Sequence, residues 1–258
     1  MKFSIIVPSF NQKKFIAETF LNIRLLEKLA NQNGHEIEAL LFDNCSVEPV
    51  QRIISYNRDL FHYIEIKKDM GQYDAINKGI CKLRGDYWTW LNTDDLIDVD
   101  GFLKLASILT QSPDPIDYIY GGIQIINEES QNVRIADARE LNLSRLVNYT
   151  PGIYQPGSFF RKSFTDKIGG VEEYRCCFDY EYVLRILKHK GNLYRCDFIV
   201  AKFRHHKLSK SGSIIPIFIK EQLEISRKYN GRKISYLMII SYFRLIKQFL
   251  VNAITPSF

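Results

Sequence analysis

The chain has 258 residues, 46% of them hydrophobic and 25% charged, a composition typical of globular proteins that bury a sizeable core. Its net charge of +6 favours anionic ligands or membranes without choosing between them, and the lack of a basic low-complexity arm argues against nucleic acid as a partner. The five cysteines are too scattered for a zinc site, and with no visible signal peptide they predict reduced thiols in the cytoplasm.

Short apolar runs and longer amphipathic segments alternate over the first ninety residues. The apolar runs predict buried strands, which lie at 3–7, 36–42, 61–66 and 86–91. The amphipathic segments predict helices, which lie at 14–29, 50–56 and 73–83. This alternation predicts an α/β fold with a doubly wound, mainly parallel sheet and helices on both faces. Because ligands of such sheets bind at the carboxyl ends of the strands, we expect the polar residues there to line one crevice.

The second half predicts further elements and then a change of character. We expect helices over 100–109 and 178–189, strands over 116–120, 157–160 and 193–203, a hairpin within 121–138, and a loop with a short helix over 141–149. We divide the chain into a domain at 1–212, with a nucleotide-binding half at 1–99 and an acceptor half at 100–212, and a helical extension at 213–258. Acceptor specificity is expected in 121–160 and in the extension.

The extension contains a helical pattern over 215–229 and an apolar segment over 234–254. Arg244 and Lys247 interrupt the apolar segment, which argues against a membrane-spanning helix because spanning takes about 20 apolar residues. Two alternatives stay open. The segment lies on a membrane surface through Tyr236, Tyr242 and Phe243, or it packs on the protein's own core or on a second subunit. The oligomeric state is equally open.

The segment GDYWTWLNTDD at 85–95 is the most informative stretch for chemistry. An aromatic strand ends there in two adjacent carboxylates, Asp94 and Asp95. Hard oxygen ligands at a strand end suit Mg²⁺ or Mn²⁺ that also binds substrate phosphates. The alternative is a turn that caps the next helix, since Asn, Thr and Asp are preferred caps.

Six short motifs follow one another over roughly the first 210 residues. They are SIIVPSFN at 4–11, FDNCS at 42–46, DMGQYDAINKG at 69–79, GDYWTWLNTDD at 85–95, QPGSFFR at 155–161, and FDYE at 178–181 followed by Leu184-Arg185. In order and spacing they resemble those of family 2 glycosyltransferases with the GT-A fold. The resemblance implies an inverting transfer of a sugar from a nucleotide-diphosphate sugar, with UDP favoured, to an acceptor hydroxyl. We further expect a glycan or lipid-linked glycan acceptor in surface polysaccharide biosynthesis, such as capsule or O-antigen, and peripheral contact with the inner face of the cell membrane. The basic charge and the apolar, cationic tail agree with such an acceptor.

The resemblance assigns a catalytic role to Asp179, as the base that accepts the acceptor's proton. Capping of a helix N-terminus is its structural alternative, and Glu181 is the second candidate for the base. A divalent metal, Mn²⁺ or Mg²⁺, would be held by Asp95, with Asp94 and His206 as further ligands. His205 is a rival to His206, and the surrounding segment at 203–211 has a basic surface loop as its alternative.

The donor is expected to be bound mainly at strand ends and the turns that follow them. Asp43 would accept the imide N–H of uracil, Pro8 would shape the loop around the base, and Asp94 would reach the ribose or assist the metal. The predicted donor-binding residues are Pro8, Ser9, Asn11, Asp43, Ser46, Asp69, Gly71, Asp74, Asn77, Lys78, Asp94 and Lys210. For Asp74 and Lys78, an exposed i,i+4 helix pair is the alternative.

Two positions depart from the commonest family pattern, since Asn44 and Asn92 stand where many relatives carry acids. Other classes of protein were weighed as well. A sugar nucleotidyltransferase would be expected to carry a glycine-rich basic loop after the first strand, but residues 9–12 contain no glycine. A non-catalytic nucleotide-sugar-binding protein is disfavoured by the presence of both Asp95 and Asp179.

Overall fold

A computed structural model describes residues 1–149, 153–206 and 215–243, and one nine-stranded sheet runs through it. The strands are β1 Lys2–Ser9, β2 Glu36–Asp43, β3 Tyr63–Ile66, β4 Tyr87–Trp90, β5 Leu96–Ile97, β6 Tyr118–Ile126, β7 Asn132–Ala136, β8 Ser158–Arg161 and β9 Leu193–Arg204. Their order across the sheet is β3-β2-β1-β4-β8-β6-β9-β5, with β7 paired to β6.

The described helices follow the predicted alternation closely. They are α1 Ile16–Gln32, α2 Val50–Tyr56, α3 Gln72–Ile80, α4 Val99–Gln111, α5 Leu143–Asn148, α6 Lys162–Ile168, α7 Phe178–Lys188 and α8 Ile215–Lys228, with short 3₁₀ turns at Arg58–Leu60 and Gln155–Gly157. Residues 236–243 are also helical. The α/β class is therefore confirmed.

Alternation along β1 explains why both faces of the sheet are covered. Phe3, Ile5 and Val7 point to one face and pack with α1 and α4, whereas Ile6 points to the other face and packs with α3, α6 and α7. Successive side chains of a strand point to opposite faces, so a strand that is apolar throughout must be buried on both. These two apolar layers hold the sheet between the helices.

The strands are parallel from β3 to β4 and mixed beyond that point. β8 lies between β4 and β6 and runs antiparallel to both, while β6 and β9 are parallel. The predicted hairpin within 121–138 is confirmed as β6 and β7. The short antiparallel pair of β5 with β9 returns the chain beside the Asp94-Asp95 turn, which brings the end of β9 to the carboxyl ends of β1 and β4.

The last described segment packs against the domain. In α8, Ile219 and Ile225 are buried, and Tyr229, just after the helix, joins the same core as α7. No helix in the described ranges is long and apolar enough to cross a membrane. The predicted boundary near residue 212 and the cations of the apolar tail segment, Arg244 and Lys247, lie outside the described residues.

Candidate active site

A cleft of about 690 Å³ opens at the carboxyl ends of β1, β2 and β4. Seven of the predicted site residues line it, namely Pro8, Ser9, Asp69, Gly71, Asp94, Asp95 and Asp179. Asn11, Asp43, Ser46, Asp74, Asn77 and Lys78 are not among the residues that line the cleft. His206 reaches it through its contact with Asp94, and Lys210 lies outside the described residues.

The buried carboxylate of Asp43 ties together the loops that follow β1 and β2. Its two oxygens accept hydrogen bonds from the Ser46 backbone N–H at 2.7 Å and from Ser46 Oγ at 2.6 Å. Ser46 Oγ in turn accepts the N–H of Asn11 at 2.8 Å, and Asn11 Oδ1 accepts the N–H of Val47 at 2.9 Å. Three predicted donor-binding residues therefore form one network behind the cleft, and Asn44 occupies the cleft wall in front of it.

Ser9 brings an unsatisfied hydroxyl to the cleft. The residue is 4% exposed, and its Oγ has no hydrogen-bond partner within the described part of the chain. Because a buried polar group without a partner costs free energy, a polar ligand in the cleft would stabilise this position.

Asp69 lies in a turn that is held by its own side chain and by the side chain of Asn44. Asp69 Oδ1 accepts the N–H of Gly71 at 2.9 Å, and the Asp69 N–H donates to Asn44 Oδ1 at 3.1 Å. Gly71 has φ +130°, a conformation that a side chain rarely tolerates. The glycine therefore permits the turn that places Asp69 at the cleft.

Asp94 and His206 meet although 112 residues separate them. Asp94 Oδ2 lies 2.9 Å from His206 Nε2, and the imidazole packs on the ring of Phe15, with 5.1 Å between ring centroids. Two adjacent ligand atoms of an octahedral ion, each about 2.1 Å from it, lie roughly 3 Å apart. The pair thus fits either a hydrogen bond or two neighbouring positions around Mg²⁺ or Mn²⁺.

The described residues do not complete a metal site by themselves. Among them, no three His, Cys, Asp or Glu side chains lie close enough together to hold an ion. Mg²⁺ commonly takes one or two protein ligands and fills its other positions with water and substrate phosphates, and the Asp94–His206 pair matches that arrangement.

The neighbouring Asp95 is committed to the protein itself. Its Oδ1 accepts the backbone N–H of Arg204 at 2.9 Å and its Oδ2 accepts Asn92 Nδ2 at 3.0 Å, while its carbonyl accepts Thr19 Oγ1 at 3.0 Å. Burial, and then the charge of Asp94, raises the pKa of Asp95 well above its ordinary value. The sequence predicts Asp95 as the main metal ligand, and both of its carboxylate oxygens already accept hydrogen bonds from the protein.

Arg204 holds the Asp94-Asp95 turn in place. It was not identified as a site residue from the sequence. Its buried guanidinium donates to the Asp94 carbonyl at 3.0 Å, to the Asn127 carbonyl at 3.0 Å and to Glu18 at 2.7 Å. It also lies 4.5 Å from the centre of the Phe15 ring. One side chain thus joins α1, the β6–β7 turn and the Asp94-Asp95 turn.

Asp179 enters the cleft from the first turn of α7. Its Oδ1 accepts the N–H of Tyr180 at 2.7 Å. Burial is the main cause that raises the pKa of Asp179 to about 6, and the negative charge of Glu221 adds to it. A carboxylate tuned in this way is suited to accept a proton near neutral pH.

Glu181, the second candidate for the base, is fully buried behind the cleft. It accepts hydrogen bonds from Tyr229 Oη at 2.6 Å and Arg185 at 2.6 Å, and Lys228 lies 3.3 Å away. Glu181 is therefore occupied in joining α7 to the end of α8.

The polar side chains of α3 support the cleft from outside. Asp74 pairs with Lys78 at 3.0 Å, as in the i,i+4 alternative, and Lys78 lies 3.9 Å from Glu65. Asn77 bonds the backbone of Val171. The Asn77 contact braces the 169–177 loop that leads to Asp179.

Several cleft residues were not identified from the sequence. Gln155 lines the cleft and donates to the Trp90 carbonyl at 2.7 Å, and its motif QPGSFFR was the available signal. Arg134 and Arg175 also line the cleft, and neither forms an ion pair with a described residue. No local pattern distinguishes these two arginines from ordinary surface cations.

Comparison with known proteins identifies the family. The sequence profile of Glycosyl transferase family 2 matches residues 4–177. The chain belongs to this family. The expected family, and with it the expected class of enzyme, is confirmed.

Two curated relatives of this family 2 glycosyltransferase differ in the share of their own length that the match covers. An uncharacterized glycosyltransferase of Haemophilus influenzae is 29% identical over 191 residues, which are 72% of this chain and 62% of that protein. A PGL/p-HBAD biosynthesis glycosyltransferase of Mycobacterium bovis is 24% identical over 241 residues, which are 92% of this chain and 89% of that protein.

Two solved structures resemble this family 2 glycosyltransferase in fold. S. aureus TarS 1-349 in complex with UDP-GlcNAc gives a TM-score of 0.68 at 17% identity, over 92% of this chain and 70% of that one. The mannosyltransferase PcManGT of Pyrobaculum calidifontis in complex with GDP-Man and Mn²⁺ gives a TM-score of 0.63 at 15% identity. The match covers 99% of this chain and 76% of that one. At these identities the likeness establishes the GT-A fold alone.

Proposed function

We propose that the chain is an inverting glycosyltransferase that moves a sugar from a nucleotide-diphosphate sugar to an acceptor hydroxyl. The observation that carries the proposal is a carboxyl group, Asp179, with its pKa raised to about 6, in the same cleft as the Asp94–His206 pair. A base and an electrophilic site on one cleft are what a single displacement at a sugar carbon requires.

The donor is proposed to lie across the ends of β1, β2 and β4. The unsatisfied Ser9 hydroxyl, Asn44 and the Asp69 turn offer it polar contacts, and Pro8 lines the same wall. We favour a UDP-sugar. Of the solved relatives in fold, TarS binds UDP-GlcNAc and PcManGT binds GDP-Man, which supports the donor class and makes the base a question for experiment.

A divalent metal is proposed to join the donor diphosphate to the protein. Asp94 and His206 would hold it, and Mn²⁺ in the PcManGT complex supports this choice of cofactor. Bound there, the metal would neutralise charge on the diphosphate. Asp95 and Arg204 would keep the turn in place without binding the ion themselves.

Asp179 is proposed to take the proton of the acceptor hydroxyl as its oxygen attacks the anomeric carbon. The new carbon–oxygen bond forms on the face opposite the diphosphate, whose bond to the sugar breaks with both electrons leaving on the nucleotide. One displacement of this kind inverts the anomeric configuration. The proton then passes from Asp179 to solvent.

The acceptor is proposed to be a glycan or a lipid-linked glycan of the cell surface. The wall formed by β6 and β9 is apolar where Ile123, Ile125 and Phe203 line the cleft, and the mycobacterial relative is named for PGL/p-HBAD biosynthesis. Exposed Tyr236, Tyr242 and Phe243 support peripheral contact with a membrane.

A screen of UDP-, GDP- and dTDP-sugars with Mn²⁺, Mg²⁺ or EDTA tests the proposal. We expect metal-dependent thermal stabilisation by a UDP-sugar and slow release of UDP. Release of pyrophosphate from a nucleoside triphosphate and a sugar phosphate would instead indicate a nucleotidyltransferase. Tight donor binding without turnover in the presence of acceptor glycans would indicate a binding protein.

A further inference from the structure

The segment that leads into α7 is held by a carboxylate from another helix. Glu221 of α8 accepts the backbone N–H groups of Arg175 at 2.8 Å, Cys176 at 2.9 Å and Cys177 at 3.1 Å. The side chain of Cys177, the N-cap residue, offers no capping hydrogen bond to α7. Of these three groups, the Cys177 N–H lies at the N-terminal end of α7, where N–H groups lack partners within the helix, so the Glu221 carboxylate supplies a partner there.

The same contact fixes the direction in which Asp179 points. Asp179 lies two residues after Cys177. The hydrogen bonds from Glu221 to the three preceding N–H groups therefore fix the backbone next to Asp179, and with it the direction of the Asp179 side chain. The Phe218 carbonyl, one turn earlier in α8, accepts Cys177 Sγ at 3.4 Å, and Phe218 itself lines the cleft. The helix predicted as an extension thus forms part of the cleft wall.

The charge of Glu221 also acts on Asp179. Other titratable groups near Asp179 are Tyr118 of β6 and Cys177, and burial raises the pKa of both, which keeps them neutral. The cation Arg175 lines the same cleft. Among the described residues, Glu221 is the one whose negative charge raises the pKa of Asp179.

We propose that Glu221 is a positioning residue for Asp179, because it holds the 175–177 segment that leads into α7 so that the Asp179 carboxylate faces the acceptor. This inference rests on the proposed function, in which Asp179 is the base. It assigns a role in the reaction to α8, beyond residues 4–177 that the family profile matches.

The test compares Glu221→Gln with Glu224→Gln, which removes the same charge from an exposed position of the same helix. For Glu221→Gln we expect kcat to fall about tenfold or more because the base is misplaced, with the donor KM changed by less than about twofold. We expect the acid limb of its pH profile to move to lower pH, since a like charge is lost. Glu224→Gln should keep the wild-type kcat and acid limb.

Two further measurements keep the inference testable under other outcomes. If Glu221→Gln folds poorly, Glu221→Asp retains the charge with a shorter reach, and we expect it to lower kcat while keeping the wild-type acid limb. If the wild type transfers no sugar, the proposed function fails, and a ¹³C NMR titration of the Asp179 carboxyl, assigned with Asp179→Asn, still tests the link. A lowered melting temperature with unchanged kcat, acid limb and Asp179 titration would show that Glu221 only stabilises the fold.

Discussion

Asn77 holds the backbone of Val171 with both ends of its amide. Nδ2 donates to the Val171 carbonyl at 2.8 Å, and Oδ1 accepts the Val171 N–H at 2.9 Å. Beside this clamp, Tyr73 Oη donates to Glu173 at 2.8 Å. Helix α3 therefore braces the loop that leads to Asp179, and Asn77, which was predicted to bind the donor, makes these contacts instead of lining the cleft.

Asn77→Ala should loosen this loop. Losing the two hydrogen bonds should lower the free energy of unfolding by roughly 1–3 kcal/mol, and kcat should fall more than donor affinity because the loop leads to the base. Kinetics together with calorimetric donor binding would separate these effects. Asn33→Ala, which loses an amide hydrogen bond to Leu29 at the exposed end of α1, is the control. A loss of donor affinity equal to the loss of kcat would instead return Asn77 to the donor site.

Asp179→Asn should lower transfer by roughly 10²- to 10⁴-fold, because a carboxamide cannot accept the proton. Donor affinity should be retained, since only the acceptor side changes. Steady-state kinetics and calorimetry of donor binding check both expectations. Asp197→Asn, at an exposed position of β9, should leave both unchanged. Substantial transfer by Asp179→Asn would exclude Asp179 as the base.

The same substitution should also stabilise the protein above pH 6. Because the pKa of Asp179 is raised in the folded state to about 6, its contribution to stability is present at low pH and is lost as pH rises through that value. Removing the ionisable group should therefore raise the free energy of unfolding at pH 8 by up to about 3 kcal/mol. Urea unfolding of both proteins at pH 4 and pH 8 would show a stability gain confined to pH 8.

Wild-type activity should fall as pH drops below about 6, the pKa of Asp179, because only the carboxylate accepts a proton. Well below that value, kcat should decrease about tenfold for each pH unit. Donor and metal are kept at saturating concentrations throughout the titration, so that weaker binding at low pH does not lower the measured rate. An acid limb near the ordinary carboxyl pKa would contradict the conclusion that burial raises the pKa of Asp179.

Asp94→Ala and Asp95→Ala should differ in what they damage. Asp94→Ala should abolish metal-dependent donor binding with little change in melting temperature, because we propose that Asp94 and its partner His206 act as metal ligands. Asp95→Ala removes two hydrogen bonds from a buried turn and should destabilise the protein by roughly 1–3 kcal/mol or more. Titration of Mn²⁺ with the donor, followed by thermal unfolding, checks both. A stable Asp95→Ala protein without metal affinity would restore Asp95 as the ligand.

Gly71→Ala should impair the cleft through backbone strain. At φ +130° a side chain costs about 1–3 kcal/mol, and relief of that strain would move Asp69 away from the donor, raising the donor KM. Gly34→Ala is the matched control, because Gly34 also has positive φ, at +76°, with open space around it and no place in the cleft. Equal changes of KM in the two variants would argue against a role for the turn.

Short-range features of this protein are determined by the sequence alone. Apolar runs that must be buried on both faces predict β1, β2 and β4, and amphipathic segments predict the helices between them, because strand and helix periodicity are local properties. The Asp94-Asp95 pair and Asp179 follow from their places directly after β4 and at the start of α7. The family, the GT-A fold and the enzyme class were predicted from the resemblance of the six motifs to those of family 2 glycosyltransferases.

Tertiary structure decided which partner each polar group meets. Asp94 finds His206, Asp95 finds the Arg204 backbone, and Glu221 finds the start of α7, across separations from 44 to 112 residues. Such contacts depend on the insertion of β8 between β4 and β6 and on the return of β9 beside the turn. Spacing along the chain does not encode these arrangements, because the pairing of distant strands is selected by the packing of the whole core.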